Sequence, residues 1–422
     1  MHTSVIDGDR MIERLAQLAA VTSTPGRGVT RLAYSAEDRV GRAMVAGWMR
    51  DAGLTVHEDA ATNVIGLRAG RSDRMLMSGS HLDTVHEAGH LDGAYGVLAA
   101  IEVADALRRG AIALEHTLVV TGFSNEEGAR GTPGMTGSHA LAGLCRPEWL
   151  GATDLEGVSL AARLASTGGR AEEIGAPSVA LERVSGFLEL HIEQGPILAG
   201  SGSDIGVVRT ITGRDGMEVE LRGVANHAGT TPMEDRHDAA VAAAEVVLGV
   251  KRLADEGWVR VATVGVMEIG PGSSNVIPNR ATLSIELRDP EDAKVASALE
   301  ELLRRIAAIA VDTGCTYTHR RVPHVLAVTM DPVLASCVAA AARSVGRLAE
   351  EIDSGAGHDA QVLAAVVPVG MIFVPSAEGV SHSAREHTDD AQLVAGAEVL
   401  AAALVEADAR LSVEGAESRA SA

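Results

Sequence analysis

Two spacings of apolar residues divide this chain. In its outer thirds apolar residues cluster in short unbroken runs, the pattern of strands buried on both faces, separated by stretches with helical periodicity. The runs are Met75 to Ser78, TLVVTGF (117 to 123), FLEL (187 to 190) and GMIFVP (370 to 375), with shorter strands expected near 54 to 58 and 63 to 68. Helices are expected from Ile12 to Ala20 and from Ser35 to Asp51, the latter with Val40, Met44, Val45 and Trp48 at helical spacing. A third, over 94 to 109, places Val97, Leu98, Ile101, Ala104 and Leu107 on one face and is expected to cover the sheet. GARGTPGMTGSHALAG reads as an irregular loop with a helical end at Ser138 to Leu144, and 151 to 185 as a polar helical excursion.

Near Thr210 the pattern changes to alternation. Met217, Val219 and Leu221 alternate with Glu218, Glu220 and Arg222, as in a strand with one wet face. A helix over 237 to 254, strands at 259 to 269 and 281 to 288, a helix at 291 to 311 and a strand at 315 to 321 complete the order βαββαβ, that of a ferredoxin-like unit. The buried-strand pattern then resumes, with helices at 331 to 345 and 389 to 408 and a small, polar, frayed tail. The expected fold is α/β: a mixed-sheet domain made of 1–209 and 324–422, interrupted by an α+β domain at 210–323.

The 422 residues suffice for two cores. With 36 basic against 57 acidic residues the net charge is -21, which disfavours nucleic acid and anionic membranes as partners. Nine aromatic residues leave little for base stacking. Cys145, Cys315 and Cys337 are far apart and form no CxxC pair, so neither a disulfide framework nor thiolate zinc is expected. With no leader-like start and no apolar run of spanning length, the expected location is the cytoplasm.

The chemistry lies just past the buried runs. His81, Asp83 and Asp92 follow the first, Glu126 and Glu127 the second, His191 and Glu193 the third, Ser381 and His382 the fourth. In an open parallel sheet such positions share one crevice. Taken singly these residues also fit a turn, a solvated helix start or a satisfied histidine; their convergence points to a metal. Mixed imidazole and carboxylate donors suit zinc, manganese or cobalt. Asp83, two residues after His81, is placed to fix that imidazole's tautomer through a carboxylate or carbonyl. A dinuclear site needs a bridging carboxylate and a base for the shared water. Asp92 is expected to bridge and Glu126 to act as base, with Glu127 the ligand because adjacent side chains diverge.

At these residues the chain resembles the M20 family of metal-dependent amidohydrolases, and within it the hydantoinase/carbamoylase branch. That branch includes N-carbamoyl-L-amino-acid hydrolases, β-ureidopropionases and allantoate amidohydrolases. The motifs are SGSHLDTV, HLDG, SNEEG, ELHIEQGP, NHAGTTPM, NVIPN, LRDP, SGAGHDAQ and GVSHSAREHT, spread over most of the chain. The resemblance implies two divalent ions, one held by His81, Asp92 and His191 and the other by Asp92, Glu127 and His382, with Glu126 as general base. It implies that the inserted domain is a lid and dimerisation domain and the protein a homodimer. It further implies that His227 steadies the oxyanion in the partner subunit's site, and that Gln194, Asn275 and Arg288 contact substrate. Two segments depart from many relatives, Ala129-Arg130-Gly131 and Arg214-Asp215-Gly216, and both are expected to bear on substrate choice.

The expected activity is hydrolysis of the carbamoyl amide of an N-carbamoyl-L-amino acid. The nearest rival is allantoate amidohydrolase; an aminoacylase or dipeptidase of the same family is disfavoured by His191 in HIEQG, and a silent binding protein by the intact ligand set. There is no GxSxG elbow and there are two lysines, Lys251 and Lys294, which leaves serine-hydrolase and Schiff-base chemistry without support.

Overall fold

The computed structural model describes residues 6–420. Its first stretch contains α1 (Gly8–Ala19), α2 (Ala36–Asp51), β1 (Thr55–Glu58), β2 (Val64–Arg68), β3 (Met75–His81), α3 (Ala94–Arg109) and β4 (Thr117–Phe123). The short α4 (Thr136–Leu141) and α5 (Leu160–Ser166) follow, then β5 (Val184–Ile192), α6 (Ile197–Ser201) and β6 (Ile205–Ile211). The alternating segment forms β7 (Gly213–Arg222), α7 (Ala239–Asp255), β8 (Val261–Gly270), β9 (Arg280–Asp289), α8 (Asp292–Asp312) and β10 (Thr316–Arg321). The last part is β11 (Val328–Thr329), α9 (Pro332–Ser344), β12 (Ala349–Ser354), α10 (Asp359–Leu363), β13 (Val369–Val374) and α11 (Asp390–Ala420). The chain folds as two compact units, one running Thr210–Val328, the other made of the chain up to Arg209 and from Thr329.

The first unit is built on a nine-stranded mixed sheet in the order β1-β2-β4-β3-β5-β13-β6-β11, with β12 on β6. Its four central strands, β4, β3, β5 and β13, are mutually parallel, so their carboxyl ends emerge along one edge. These are the four apolar runs. Leu76, Leu118, Val120, Leu188, Leu190, Ile372 and Val374 pack with α1, α3, α9 and α11 in one core, while α10 lies against β5, β13 and α4.

Several expectations are corrected. β3 runs through His81 rather than stopping at Ser78, because its ladder with β4 continues to the pair His81–Phe123. α3 is buried on every side from Ala94 to Leu107, packed between the sheet, α1 and α11, instead of covering the sheet with a single face. The inward face of α2 is Asp38, Arg42, Val45, Ala46 and Met49, and Val40 points outward. Asp38 and Arg42 enter the interior as a pair, the arginine Nε 3.2 Å from the carboxylate. Burial raises the Asp38 carboxyl to about 6 in spite of Arg42. α11 continues to Ala420, twelve residues past the expected end at 408, with Leu411 still buried and no proline to stop it.

The second unit is a four-stranded antiparallel sheet in the order β10-β7-β9-β8. With two helices between its strands, this is the ferredoxin-like arrangement. Met217, Val219 and Leu221 of β7 and Leu283, Ile285 and Leu287 of β9 are buried with Val246 and Val250 of α7 and Leu299, Leu302 and Ile306 of α8. The edge strand β8 breaks register between Val264 and Val266 and leaves Val261, Val266, Met267 and Ile269 exposed.

Candidate metal centre

The parallel register lines up the candidate residues. His81 ends β3 and pairs with Phe123, the last residue of β4, while His191 on β5 pairs with Phe373 on β13. Asp92 immediately precedes Gly93, whose left-handed conformation (φ 65°) starts α3, so this carboxylate sits at the positive end of a sixteen-residue helix. His382 lies beyond β13, also left-handed (φ 51°).

Asp92 stands between three imidazoles. Its Oδ1 is 3.3 Å from His81 Nε2 and 3.2 Å from His191 Nε2, and its Oδ2 is 3.2 Å from His382 Nε2. One carboxylate thus faces two histidine sets with its two oxygens. The other ring nitrogens are committed. His81 Nδ1 donates to the backbone carbonyl of Asp83 at 3.0 Å and His191 Nδ1 to that of Ile192 at 2.9 Å, which leaves each Nε2 as the acceptor nitrogen turned toward Asp92, that of His191 also accepting the Gly93 N–H at 3.1 Å. It is therefore the carbonyl of Asp83, not its carboxylate, that orients His81.

The Asp83 carboxylate does something else. Buried at 1 % exposure, it accepts the backbone N–H groups of Glu126 (3.0 Å) and Glu127 (3.2 Å) and so fixes where the glutamate pair begins. The two side chains then diverge. Glu126 Oε2 lies 3.9 Å from His81 Nε2, and Glu127 Oε1 lies 3.5 Å from His382 Nε2. Ligand atoms of His81, Asp92 and His191 lie within 4.8 Å of one another, as do those of Asp92, Glu127 and His382, and those of His81, Glu126 and Glu127. Glu127, unlike Glu126, shares a group with both Asp92 and His382.

The site's charges are strongly displaced. Burial pushes the Glu126 carboxyl well above its ordinary range, and Glu127 reaches about 7 through burial and then repulsion from Asp92. Burial also disfavours the Asp92 anion, but hydrogen bonds from His191, His382 and His81 outweigh it and hold this acid well below the usual carboxylate range. His382 is raised to about 9, first by its hydrogen bond to Asp92.

A surrounding layer joins Gln194 and Ser381 to three residues to which the sequence assigned no role, Glu189, His358 and Glu386. Gln194, left-handed at φ 59°, turns its Nε2 to Asp92 Oδ2 at 2.7 Å. Ser381 Oγ is 3.1 Å from the same oxygen, and Glu386 accepts the backbone N–H groups of Leu91 and Asp92. Glu189, fully buried, accepts from Ser80 Oγ (2.7 Å) and Ala360 N (2.9 Å). The His358 ring packs edge-on to His191 at 4.7 Å. Glu189, His358 and Glu386 all lie inside the motifs ELHIEQGP, SGAGHDAQ and GVSHSAREHT, the one signal that marks them.

The other candidates lie in the second unit. His227 and Asn275 meet there, joined by the bridge His227–Val276 and the bond from Ala228 N to the Asn275 carbonyl at 2.9 Å. Arg288 is on the polar phase of β9, its Nε 2.7 Å from Glu286. Arg214 lies 3.9 Å from Glu286, and Asp215 is ion-paired with Arg321. In the first unit Arg130 donates to the Ala33 carbonyl at 2.8 Å and so ties down the loop after the glutamate pair.

The donor set fits divalent ions. Asp83, Asp92, Glu126, Glu127, Glu189 and Asp359 bring six buried or nearly buried carboxyl groups to this region, whose combined negative charge a low-dielectric interior tolerates only with protonation or compensating cations. Glu127 Oε1, buried and without a hydrogen-bond partner, is the kind of orphaned acceptor a cation would satisfy. Gly93 leaves the room required, since a Cβ there would overlap the His81 ring. Gly93→Ala is therefore expected to displace His81 and lower turnover by about 100-fold or more. Metal analysis and kinetics on the variant check this, and unchanged values for both would refute it.

A family model described as Peptidase family M20/M25/M40 matches residues 77–406. An N-carbamoyl-L-amino acid amidohydrolase of Geobacillus stearothermophilus is 37% identical over 398 residues, covering 94% of this chain and 97% of the relative. A ureidoglycolate hydrolase of Arabidopsis thaliana is 33% identical, covering 97% and 87%. The crystal structure of an amidase of the hydantoinase/carbamoylase family from Burkholderia multivorans superposes with a TM-score of 0.87 at 36% identity, covering 96% of this chain and 98% of the other. With the motifs at the ends of the four parallel strands, these matches place the chain in the M20 peptidase family, in its hydantoinase/carbamoylase amidase branch.

Proposed function

We propose that this amidase is a homodimeric, two-metal enzyme that hydrolyses the carbamoyl amide of an N-carbamoyl-L-amino acid to the amino acid, carbon dioxide and ammonia. The observation that carries the reading is the placement of Asp92, whose two oxygens face different histidine sets. His81, Asp92 and His191 would hold one ion and Asp92, Glu127 and His382 the other. Divalent zinc, manganese or cobalt would supply Lewis-acid polarisation of the carbonyl and a water acidic enough to lose a proton near neutral pH.

The chain's own residues do the rest. Glu126 takes the proton from the attacking water, and as the C–N bond breaks it returns that proton to the leaving nitrogen. Asp83 sets the position of this base through the Glu126 N–H. Arg288 offers the substrate carboxylate a guanidinium fork in place of Glu286, a charge-assisted contact worth about 1.5 to 3 kcal/mol. Asn275 assists it, Gln194 keeps a buried amide oxygen without a partner for a substrate donor, and His227 of the partner subunit steadies the developing oxyanion. The exposed apolar residues of the β8 edge support dimerisation, because an open, apolar strand edge is ordinarily covered. Among the described residues no helix is long and apolar enough to cross a membrane.

The test is to strip the protein of metal, reload it separately with zinc, manganese and cobalt, and follow ammonia release from several N-carbamoyl-L-amino acids, ureidoglycolate and allantoate. Metal-dependent turnover of a carbamoyl amino acid, with little of the ureides, is expected. The reverse preference would replace this reading with the ureide-hydrolysing one that the Arabidopsis relative's name suggests.

A further inference from the structure

The proposed metal positions are supported very unequally by the fold. His81 and His191 are strand residues, held by hydrogen-bonded ladders on β3 and β5. His382 sits on the loop between β13 and α11, and its side chain is 49 % exposed. That loop is closed at its neck by the bonds from Ala377 N to the His387 carbonyl (2.8 Å) and from Thr388 Oγ1 to the Pro375 carbonyl (2.7 Å). Gln194 N donates to Ser376 Oγ near the same neck at 3.0 Å. None of these contacts sets where the tip lies relative to Asp92.

Glu386 does. It is 4 % exposed, and its Oε1 accepts the N–H groups of Leu91 (2.9 Å) and Asp92 (3.2 Å), nearly 300 residues away in sequence. Its Oε2 accepts from Ser381 Oγ at 2.8 Å, and that hydroxyl is also 3.1 Å from Asp92 Oδ2. Gly89 gives the carboxylate its space, since a Cβ at that position would overlap Glu386 Oε1. One buried carboxylate therefore grips the backbone of the bridging aspartate and, through Ser381, the neighbour of His382.

We infer that Glu386 is a positioning residue for the His382 side of the centre, docking the loop that carries this histidine onto Asp92 and so setting the affinity of the Asp92–Glu127–His382 position far more than that of the His81–Asp92–His191 position, two of whose ligands are held by strand ladders. The inference rests on the two-metal reading. Its physical basis is the difference in support: removing Glu386 leaves the loop tip only the contacts of Ser381 with Asp92 and Gln194 and of His382 itself, but breaks no strand ladder.

The experiment is cobalt titration of the metal-free protein, followed by visible absorption and calorimetry, for the wild type, E386A and E386Q, with circular dichroism to check folding. For the wild type two equivalents are expected. For E386A the second equivalent should bind about 10- to 100-fold more weakly, the range seen when partners of metal ligands are removed, and the first should lose much less. E386Q should restore the second, because its amide oxygen can accept both N–H groups and its NH2 can donate to Ser381 Oγ. Should E386A not fold, E386D, whose carboxylate falls one methylene short of the two N–H groups, is read in the same way. Unchanged binding in E386A, equal weakening of both equivalents, or an E386Q as weak as E386A would overturn the inference. A wild type that takes up fewer than two equivalents would instead overturn the two-metal reading, so the failures are distinguishable.

Discussion

Glu126→Gln is expected to lower kcat by about 10²- to 10⁴-fold, the usual contribution of a positioned general base, while leaving the metal content unchanged. The change preserves volume and removes only the ability to take and return a proton. The backbone is undisturbed, because Asp83 holds residue 126 by its N–H and not by its side chain. Metal retention follows from the geometry: Glu126 lies 3.9 Å from His81 and shares no ligand group with Asp92 or His382, whereas Asp92 and Glu127 supply the closer contacts with His382. The environment suits a base, since burial in the first place, and Glu127 in addition, raise this carboxyl well above its ordinary value and strengthen its hold on a proton. Steady-state kinetics and elemental analysis on the same preparation make the check. A variant with near-normal kcat would remove Glu126 from the mechanism, and one that also lost its metal would recast it as a ligand.

How far the sequence discloses the molecule depends on the range of the interactions. The central strands are legible because β3, β4, β5 and β13 are buried on both faces and so are written as unbroken apolar runs. The candidate ligands are legible for the same reason, since each sits at or just past the end of such a run. The sequence pattern does not mark β6, β11 or β12: β11 has two residues, and the AEEIDS of β12 offers one buried apolar side chain, Ile352. The inward face of α2 is hidden because its most buried polar residues, Asp38 and Arg42, satisfy each other, which an apolar count cannot register.

The layer around the ligands is the least legible. Which Asp83 oxygen meets which partner depends on the turn after β3, and a sequence can say only that an aspartate lies two residues from His81. Glu386 lies 294 residues from the backbone N–H of Asp92 that it accepts, and no local pattern encodes that pairing. Strand ends can be read locally; loops meet only when the sheet has formed.

Asp92→Asn is expected to have the widest effect on metal, reducing it from two ions per chain to one or fewer, with turnover lowered by at least about 100-fold, more than is typical for loss of a ligand's outer partner. The substitution keeps the shape and removes the symmetry. A carboxylate presents an acceptor on each side, Oδ1 to His81 and His191 and Oδ2 to His382. An amide presents one acceptor and one donor. If the amide oxygen in D92N faces His81 and His191, the NH2 meets the Gln194 amide nitrogen, which in the wild type donates to this position at 2.7 Å, and the Ser381 hydroxyl 3.1 Å away. If the oxygen faces Gln194 and Ser381, the NH2 points at two imidazole nitrogens, where a cation would have to sit. Either orientation sacrifices one position, and both lose the anion that offsets cation charge in a buried site. Metal analysis of the variant at matched free zinc, with kinetics on N-carbamoyl-L-amino acids, tests this. Two tightly held ions and near-wild-type turnover in D92N would show that Asp92 is not the bridge, and the dinuclear reading would have to be rebuilt on Glu127, the other carboxylate that belongs to two of the three ligand groups.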